Sequence, residues 1–385
     1  MKTMSHVSAC LGLSAAGVAI ALAVSTSSAA AQTPPREVPA RTIPVPETVS
    51  PQMQKLIAAP LTPTWNVIPT TAEEWKVQVN TVTVATLQAL PALRDALHVK
   101  VEPTTIDGVK AYTVTPDAIP PENRERLLVH VHGGCFVSFP GESGTVEAVY
   151  MAGFGRFKII SVDYRMPPDH PYPAALDDAM TVWRAAMKMA DPKNMAIFGS
   201  SAGGALTLSM IHRAKRDNLP LPAAIAPGTP MSDLTGSGDT FRTNAMLDNV
   251  LVAYGANCDQ RAALYTNGHD IKDPMISPLF GDMHGFPPTI LTSGTRDLLL
   301  SNTVRVHRKL RQAGVEAVLQ VSIRQAEIAM PGGSSRNDRD SVEFNAVRAG
   351  HDPLVECRCS RCQLDRCVYL APDEALRLAL MLASV

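Results

Sequence analysis

The segment Ile197-Phe198-Gly199-Ser200-Ser201-Ala202-Gly203-Gly204 limits what this chain can fold into more than any other. An apolar run, Met195–Phe198, enters a Gly-x-Ser-x-Gly turn, and small residues open a helical stretch over Ala202–Arg216. A strand passing into a helix through so short a turn must bend sharply, which holds the central residue at strained backbone angles. A side chain on either flank would strike the adjoining strand or helix, so glycine stands on both sides. Gly-x-Ser-x-Gly alone recurs by chance; its place between a strand and a helix is the specific signal. That placement lifts the Ser201 hydroxyl to the carboxyl edge of a sheet, as nucleophilic catalysis by serine requires.

The rest of the chain supplies the remainder of such a sheet. Val99–Val101, Ala111–Thr115, Arg126–Val131, Lys158–Val162, Ala223–Ala226, Pro288–Leu291 and Val315–Val321 also read as strands. Helical spacing occupies Pro173–Met189 and Leu300–Ala313. Strand-then-helix alternation is the pattern of a mostly parallel sheet covered on both faces. Before it, residues 32–70 are rich in Pro and Thr and read as extended, and Thr71–Leu97 has the spacing of one or two amphipathic helices capped by Thr71. The formal net charge of −1 lacks the basic excess of a nucleic-acid binder, so no such partner is expected.

A second element precedes the serine. Leu127–Val131 is an apolar strand leading into His132-Gly133-Gly134-Cys135. Acyl transfer builds negative charge on a carbonyl oxygen, and backbone N–H donors must be aimed at it. Losing one such donor costs roughly 10²–10³ in rate. Glycines let the backbone approach closely, so the N–H groups of Gly134, Cys135 and Ala202 are the candidate donors. His132, beside these glycines, reads as a loop anchor rather than the general base.

Taken together, these motifs resemble the hormone-sensitive-lipase-like branch of the α/β-hydrolase superfamily, the bacterial carboxylesterases. The likeness runs from about Val109 to Val321 through His132-Gly133-Gly134, the stretch from Asp163 to Asp178, Gly199 to Gly204, Asp273-Pro274-Met275-Ile276-Ser277-Pro278, and Gly294-Thr295-Arg296-Asp297-Leu298-Leu299. Cys135 departs from it, standing where the family usually has a third glycine. The resemblance implies an α/β-hydrolase fold: a mostly parallel central sheet with helices on both faces over residues 98–321, and an N-terminal arm and helical cap over residues 32–97. It implies a small-molecule carboxylic ester as substrate, with a short or medium acyl chain or a lactone ring, hydrolysed through an acyl-enzyme without metal or organic cofactor. It also implies Asp297 as the triad acid, a residue that could instead cap the helix from Leu300. Asp163 with Arg165 reads as a buried structural pair, and His170 as a loop anchor.

The triad order for this fold is Ser, Asp, His. The resemblance implies a histidine in the loop after one more strand, yet Ser322–Met330 contains none, and His307 lies inside a helix. Three readings stand side by side. His351, between Gly350 and Asp352, serves as base from a longer loop; or the site lacks its base, leaving a non-catalytic or crippled binding protein; or the reading frame shifts near Val321. Residues 322–385 are atypical, rich in Arg, Ser and Cys without a periodic apolar segment before Pro372–Leu382. Cys357, Cys359, Cys362 and Cys367 form one tight group rather than two spaced pairs, so no metal site is expected there.

At the other end, Lys2, an apolar run over Cys10–Val24 and Ala29-Ala30-Ala31 read as an export signal spanning residues 1–31. The run is short for a membrane span, so a periplasmic or secreted protein without stable membrane insertion is expected after cleavage; a retained anchor is the alternative.

Overall fold

A computed structural model of the chain describes residues 35–322. The expected signal over residues 1–31, His351, the cysteine group and the atypical tail from residue 323 onward lie outside them. Residues 35–44 carry no helix or strand. Helix α1 (Pro51–Ile57) is followed by α2 (Ala72–Leu97), a single helix where one or two were expected. Thr71 caps α2 through a reciprocal box: its hydroxyl accepts from the Glu74 N–H, and the Glu74 carboxylate accepts from the Thr71 N–H.

The strands are β1 (Val99–Ile106), β2 (Val109–Pro116), β3 (Leu127–Val131), β4 (Lys158–Val162), β5 (Met195–Ser200), β6 (Ala224–Gly228), β7 (Thr289–Gly294) and β8 (Ala317–Ser322). Among them run α3 (Val146–Gly155), α4 (Ala174–Ala186), α5 (Ala202–Arg216), α6 (Thr240–Thr243), α7 (Asn257–Thr266) and α8 (Leu300–Gln312). The sheet order is β1-β2-β4-β3-β5-β6-β7-β8, with β1 and β2 antiparallel to their neighbours and the other pairings parallel. The expected mostly parallel sheet is therefore present, entered through a hairpin.

Period-2 alternation divides the central strands between two cores. Val129, Val131, Ile160, Val162, Ile197 and Ile225 face α4, α5 and α8. Leu128, Ile159, Ala196, Phe198 and Ala224 face α3 and the C-terminal half of α2, through Leu90 and Leu93. Both faces of β3 and β5 are buried along their whole length, which is why these strands read as continuous apolar runs. The chain leaves β3 toward β4 on one side, whereas β5 and its successors lie on the other. Loops after β3 and β5 thus meet where the strand order reverses, at the carboxyl edge where open α/β sheets bind ligands.

Two local expectations change. Arg165 pairs with Asp178 of α4, not with Asp163: its Nε and Nη2 reach the Asp178 carboxylate at 2.8–3.1 Å. Asp163 instead accepts from the Gly141 N–H at 2.8 Å. The His170 side chain is exposed.

Candidate active site

Ser201 sits between β5 and α5 with φ +56° and ψ −119°, a region that L-residues rarely occupy. Its N–H donates to the Gly228 carbonyl at 3.0 Å and its carbonyl accepts from Met231, so the turn is clamped to the end of β6. A Cβ added at Gly199 or at Gly203 would collide with the carbonyl oxygen of Val131, and one at Gly204 would crowd Gly228 and Pro230. The flanking glycines are thus required by the approach of β3 and β6. The Ser201 hydroxyl is fully buried and has no hydrogen-bond partner among the described residues.

The loop after β3 lies directly against this turn: a Cβ at Gly133 would stand 3.0 Å from the Ser200 carbonyl and 3.4 Å from the Ser201 Cβ. Gly134, Cys135, Phe136 and Phe139 all have positive φ, at +103°, +53°, +65° and +70°. The Gly134 carbonyl accepts from both Val137 and Ser138, which closes the loop on itself. Ala202 begins α5, and the first N–H groups of a helix have no partner within it. Of the three candidate oxyanion donors, Ala202 follows Ser201 directly, and Gly134 and Cys135 follow Gly133 in the loop that lies against the serine turn.

His132 behaves as an anchor. Its Nδ1–H donates to the Gly133 carbonyl at 2.8 Å, its ring stacks on Tyr164 at 4.2 Å, and the Tyr164 hydroxyl donates to the His132 carbonyl at 2.7 Å. Burial pushes its imidazole down to about 4, so the ring is neutral at physiological pH.

Asp297 lies just past β7 and is 4% exposed. One carboxylate oxygen accepts from the hydroxyls of Thr229 and Ser293, the other from the Leu299 N–H at 2.7 Å. Burial first, then the neighbouring Asp248 carboxylate, raise it to about 6, against the opposing pull of these donors. The turn that carries it is held from outside by two residues with no sequence signature. Asn244 Nδ2 donates to the carbonyls of Thr295 and Asp297, and Asp248 accepts from the Leu298 N–H at 2.9 Å. The Asp297 carboxylate does not cap α8 in the ordinary way, since Leu299 occupies the N-cap without a side-chain bond.

Beneath the nucleophile turn a third support was equally hidden in the sequence. Glu147, in the first turn of α3, accepts from the Ser200 hydroxyl at 2.5 Å and the Ser200 N–H at 3.0 Å, and it lies 3.3 Å from His130 Nε2. Burial would raise this carboxyl, but the His130 and Ser200 bonds outweigh it and hold it below its ordinary value. The only hint in sequence is one acid in the apolar run Val146–Gly155.

A disulfide joins Cys135 to Cys258 at the start of α7. From the same helix, Arg261 Nη1 donates to Ser138 Oγ at 2.6 Å. Gln78 of α2 accepts from Arg261 and from Asn257, each at 2.9 Å, which ties the N-terminal half of α2 to this side of the loop. No cluster of residues able to hold a metal ion occurs among the described residues, and none of the helices described is long and apolar enough to cross a membrane.

Residues 128–325 match a family model described as the alpha/beta hydrolase fold. An esterase of Acinetobacter venetianus is 31% identical over 221 residues, 57% of this chain and 71% of its own. An acetyl-hydrolase of Streptomyces hygroscopicus is 27% identical over 201 residues, 52% of this chain and 65% of its own. Among solved structures, an esterase at 41% identity superimposes with a TM-score of 0.72, covering 75% of this chain and 89% of that one.

Proposed function

The chain belongs to the α/β-hydrolase fold family, and from that premise we propose that it is a hormone-sensitive-lipase-like esterase, hydrolysing small carboxylic esters with Ser201 as nucleophile. The observation that carries the reading is the meeting of three parts at one sheet edge. These are a strained serine whose hydroxyl has no partner among the described residues, a left-handed loop lying against the serine turn, and a buried carboxylate two strands away.

In this reading Ser201 Oγ attacks the ester carbonyl while a histidine takes its proton. The oxyanion is met by the N–H groups of Gly134, Cys135 and Ala202, whose orientation is fixed before the substrate arrives. The histidine returns its proton to the departing alcohol, leaving an acyl-enzyme that water then cleaves by the same route. Asp297 orients the histidine and stabilises its cation, and the base is His351, beyond β8. Short or medium acyl chains and lactones are the substrate class. The N-terminal half of α2 serves as a cap, supported by the Gln78–Arg261–Ser138 chain of hydrogen bonds. Export to an oxidising compartment is supported by the Cys135–Cys258 disulfide.

One observation favours a second reading. Ser322–Met330, where the resemblance implies the triad histidine, contains none. A chain without a base would bind esters or other small apolar ligands and not turn them over. Hydrolysis of chromogenic esters of increasing acyl length by the purified chain, Ser201→Ala and His351→Ala separates the two. Turnover that is lost in both variants supports the proposal, and turnover that survives His351→Ala removes that residue from it. Folded protein as inert as Ser201→Ala supports the binding reading.

A further inference from the structure

Helix α7 grips the loop after β3 at three points along one stripe. Cys258 is bonded to Cys135, Arg261 donates to Ser138, and the Tyr265 ring stacks on Phe136 with centroids 4.0 Å apart. Residues 258, 261 and 265 recur at helical spacing, so a single helix face meets Cys135, Phe136 and Ser138 of the loop. The loop has reason to need it. Of its four residues with positive φ only Gly134 is a glycine; Cys135, Phe136 and Phe139 carry side chains that disfavour the left-handed region.

The three contacts are not equivalent. The stack and the hydrogen bond act at the far ends of the Phe136 and Ser138 side chains. The disulfide acts at the Cβ of Cys135, the residue whose own N–H is a candidate oxyanion donor. Rotation about its φ turns the Gly134–Cys135 peptide, which carries this N–H, relative to the tethered Cβ, and relief of the left-handed strain favours that rotation once the tether is cut.

We infer that Cys258 is a positioning residue for the oxyanion hole, holding Cys135 in its left-handed conformation through the disulfide, so that catalysis depends on the redox state of this pair. The inference rests on the ester-hydrolase reading. A dithiol supplies two electrons and two protons: the Cys135–Cys258 bond breaks, each sulfur leaves as a thiol, and the dithiol closes to its own disulfide. Cys135 is then free to relax, and the hole loses its geometry while Ser201 and the rest of the site stay in place.

The test uses the full chain in oxidised form, the same protein after dithiothreitol treatment, and Cys258→Ser. Steady-state kinetics on a chromogenic short-chain ester are measured below the melting temperature of each, alongside amide hydrogen exchange across residues 132–139. Opening the bond is expected to lower kcat about tenfold or more, short of the roughly 10²–10³ for a donor removed outright, with KM nearly unchanged. Reoxidation restores kcat, Cys258→Ser matches the reduced protein and ignores dithiothreitol, and exchange across the loop rises. A crosslink that merely stabilises the fold would lower the melting temperature and leave kcat alone. Unchanged kcat with the bond shown open by thiol titration, a change confined to KM, or continued sensitivity of Cys258→Ser to dithiothreitol overturns the inference. Should the oxidised chain turn over no ester at all, the functional reading fails, and loop exchange decides this one separately: a rise on reduction upholds it, and no change overturns it.

Discussion

In the His351→Ala background, where the carboxylate keeps only the partners described above, replacing Asp297 by Asn should stabilise the protein at neutral pH and do so progressively less as the pH falls. The carboxyl is 4% exposed and lies beside the Asp248 carboxylate; its ordinary value of 3.8 is raised to about 6. A group raised in this way favours the fold when protonated. Its contribution is fully present below 3.8 and is lost as the pH rises through 6. Carried across that window, the difference is about 3 kcal/mol. Asn cannot ionise, so its stability lacks this slope. The hydrogen bonds from Thr229, Ser293 and Leu299 fit Asn less well, but that offset is the same at every pH and cancels in the comparison. Urea unfolding of both proteins at about pH 4 and about pH 8 should show the stability of Asp297→Asn relative to the parent rising by about 2.5 kcal/mol between them. A relative stability that is flat in pH refutes the reasoning. One that falls toward high pH would mean that a cation pairs with this carboxylate and holds it low.

Glu147→Ala leaves the Ser200 N–H and His130 without their acceptor, and should destabilise the protein by about 3 kcal/mol, with Glu147→Gln nearer 1 kcal/mol; denaturant titration checks both, and an alanine variant within about 0.5 kcal/mol of the parent contradicts the account. Gly199→Ala drives a Cβ into the Val131 carbonyl and should cost about 3 kcal/mol or abolish folding. Gly268→Ala, with φ +80° but open space around it, should cost only about 1 kcal/mol, so the pair separates collision from backbone strain in a melting experiment.

The parts of this molecule that were legible in its sequence are the local ones. Eight strands followed from short apolar runs. Ala202–Arg216 was bounded correctly because the glycine turn marks its start and a basic cluster its end. Helix α3 carries no such signal, because Val146–Gly155 is apolar on nearly every side, packed between α2 and the sheet, and so shows no amphipathic period. The Asp163–Arg165 expectation followed chain proximity, whereas the helical turn of α4 brings Asp178 back to the guanidinium from thirteen residues away. At the site, Ser201, Asp297 and the glycine loop each carry their own motif. Glu147, Asn244, Asp248 and Cys258 hold those motifs in place from distant segments, and no spacing rule links Cys258 to a cysteine 123 residues earlier.

The most direct test of the central claim, that Ser201 is an activated nucleophile, is the intact mass of the purified chain after treatment with phenylmethylsulfonyl fluoride. The account predicts a single sulfonyl adduct, mapped by peptide digestion to the segment holding Ser201, absent from Ser201→Ala, and accompanied by loss of ester turnover. An unmodified protein, or an adduct on another serine with Ser201 untouched, would contradict it.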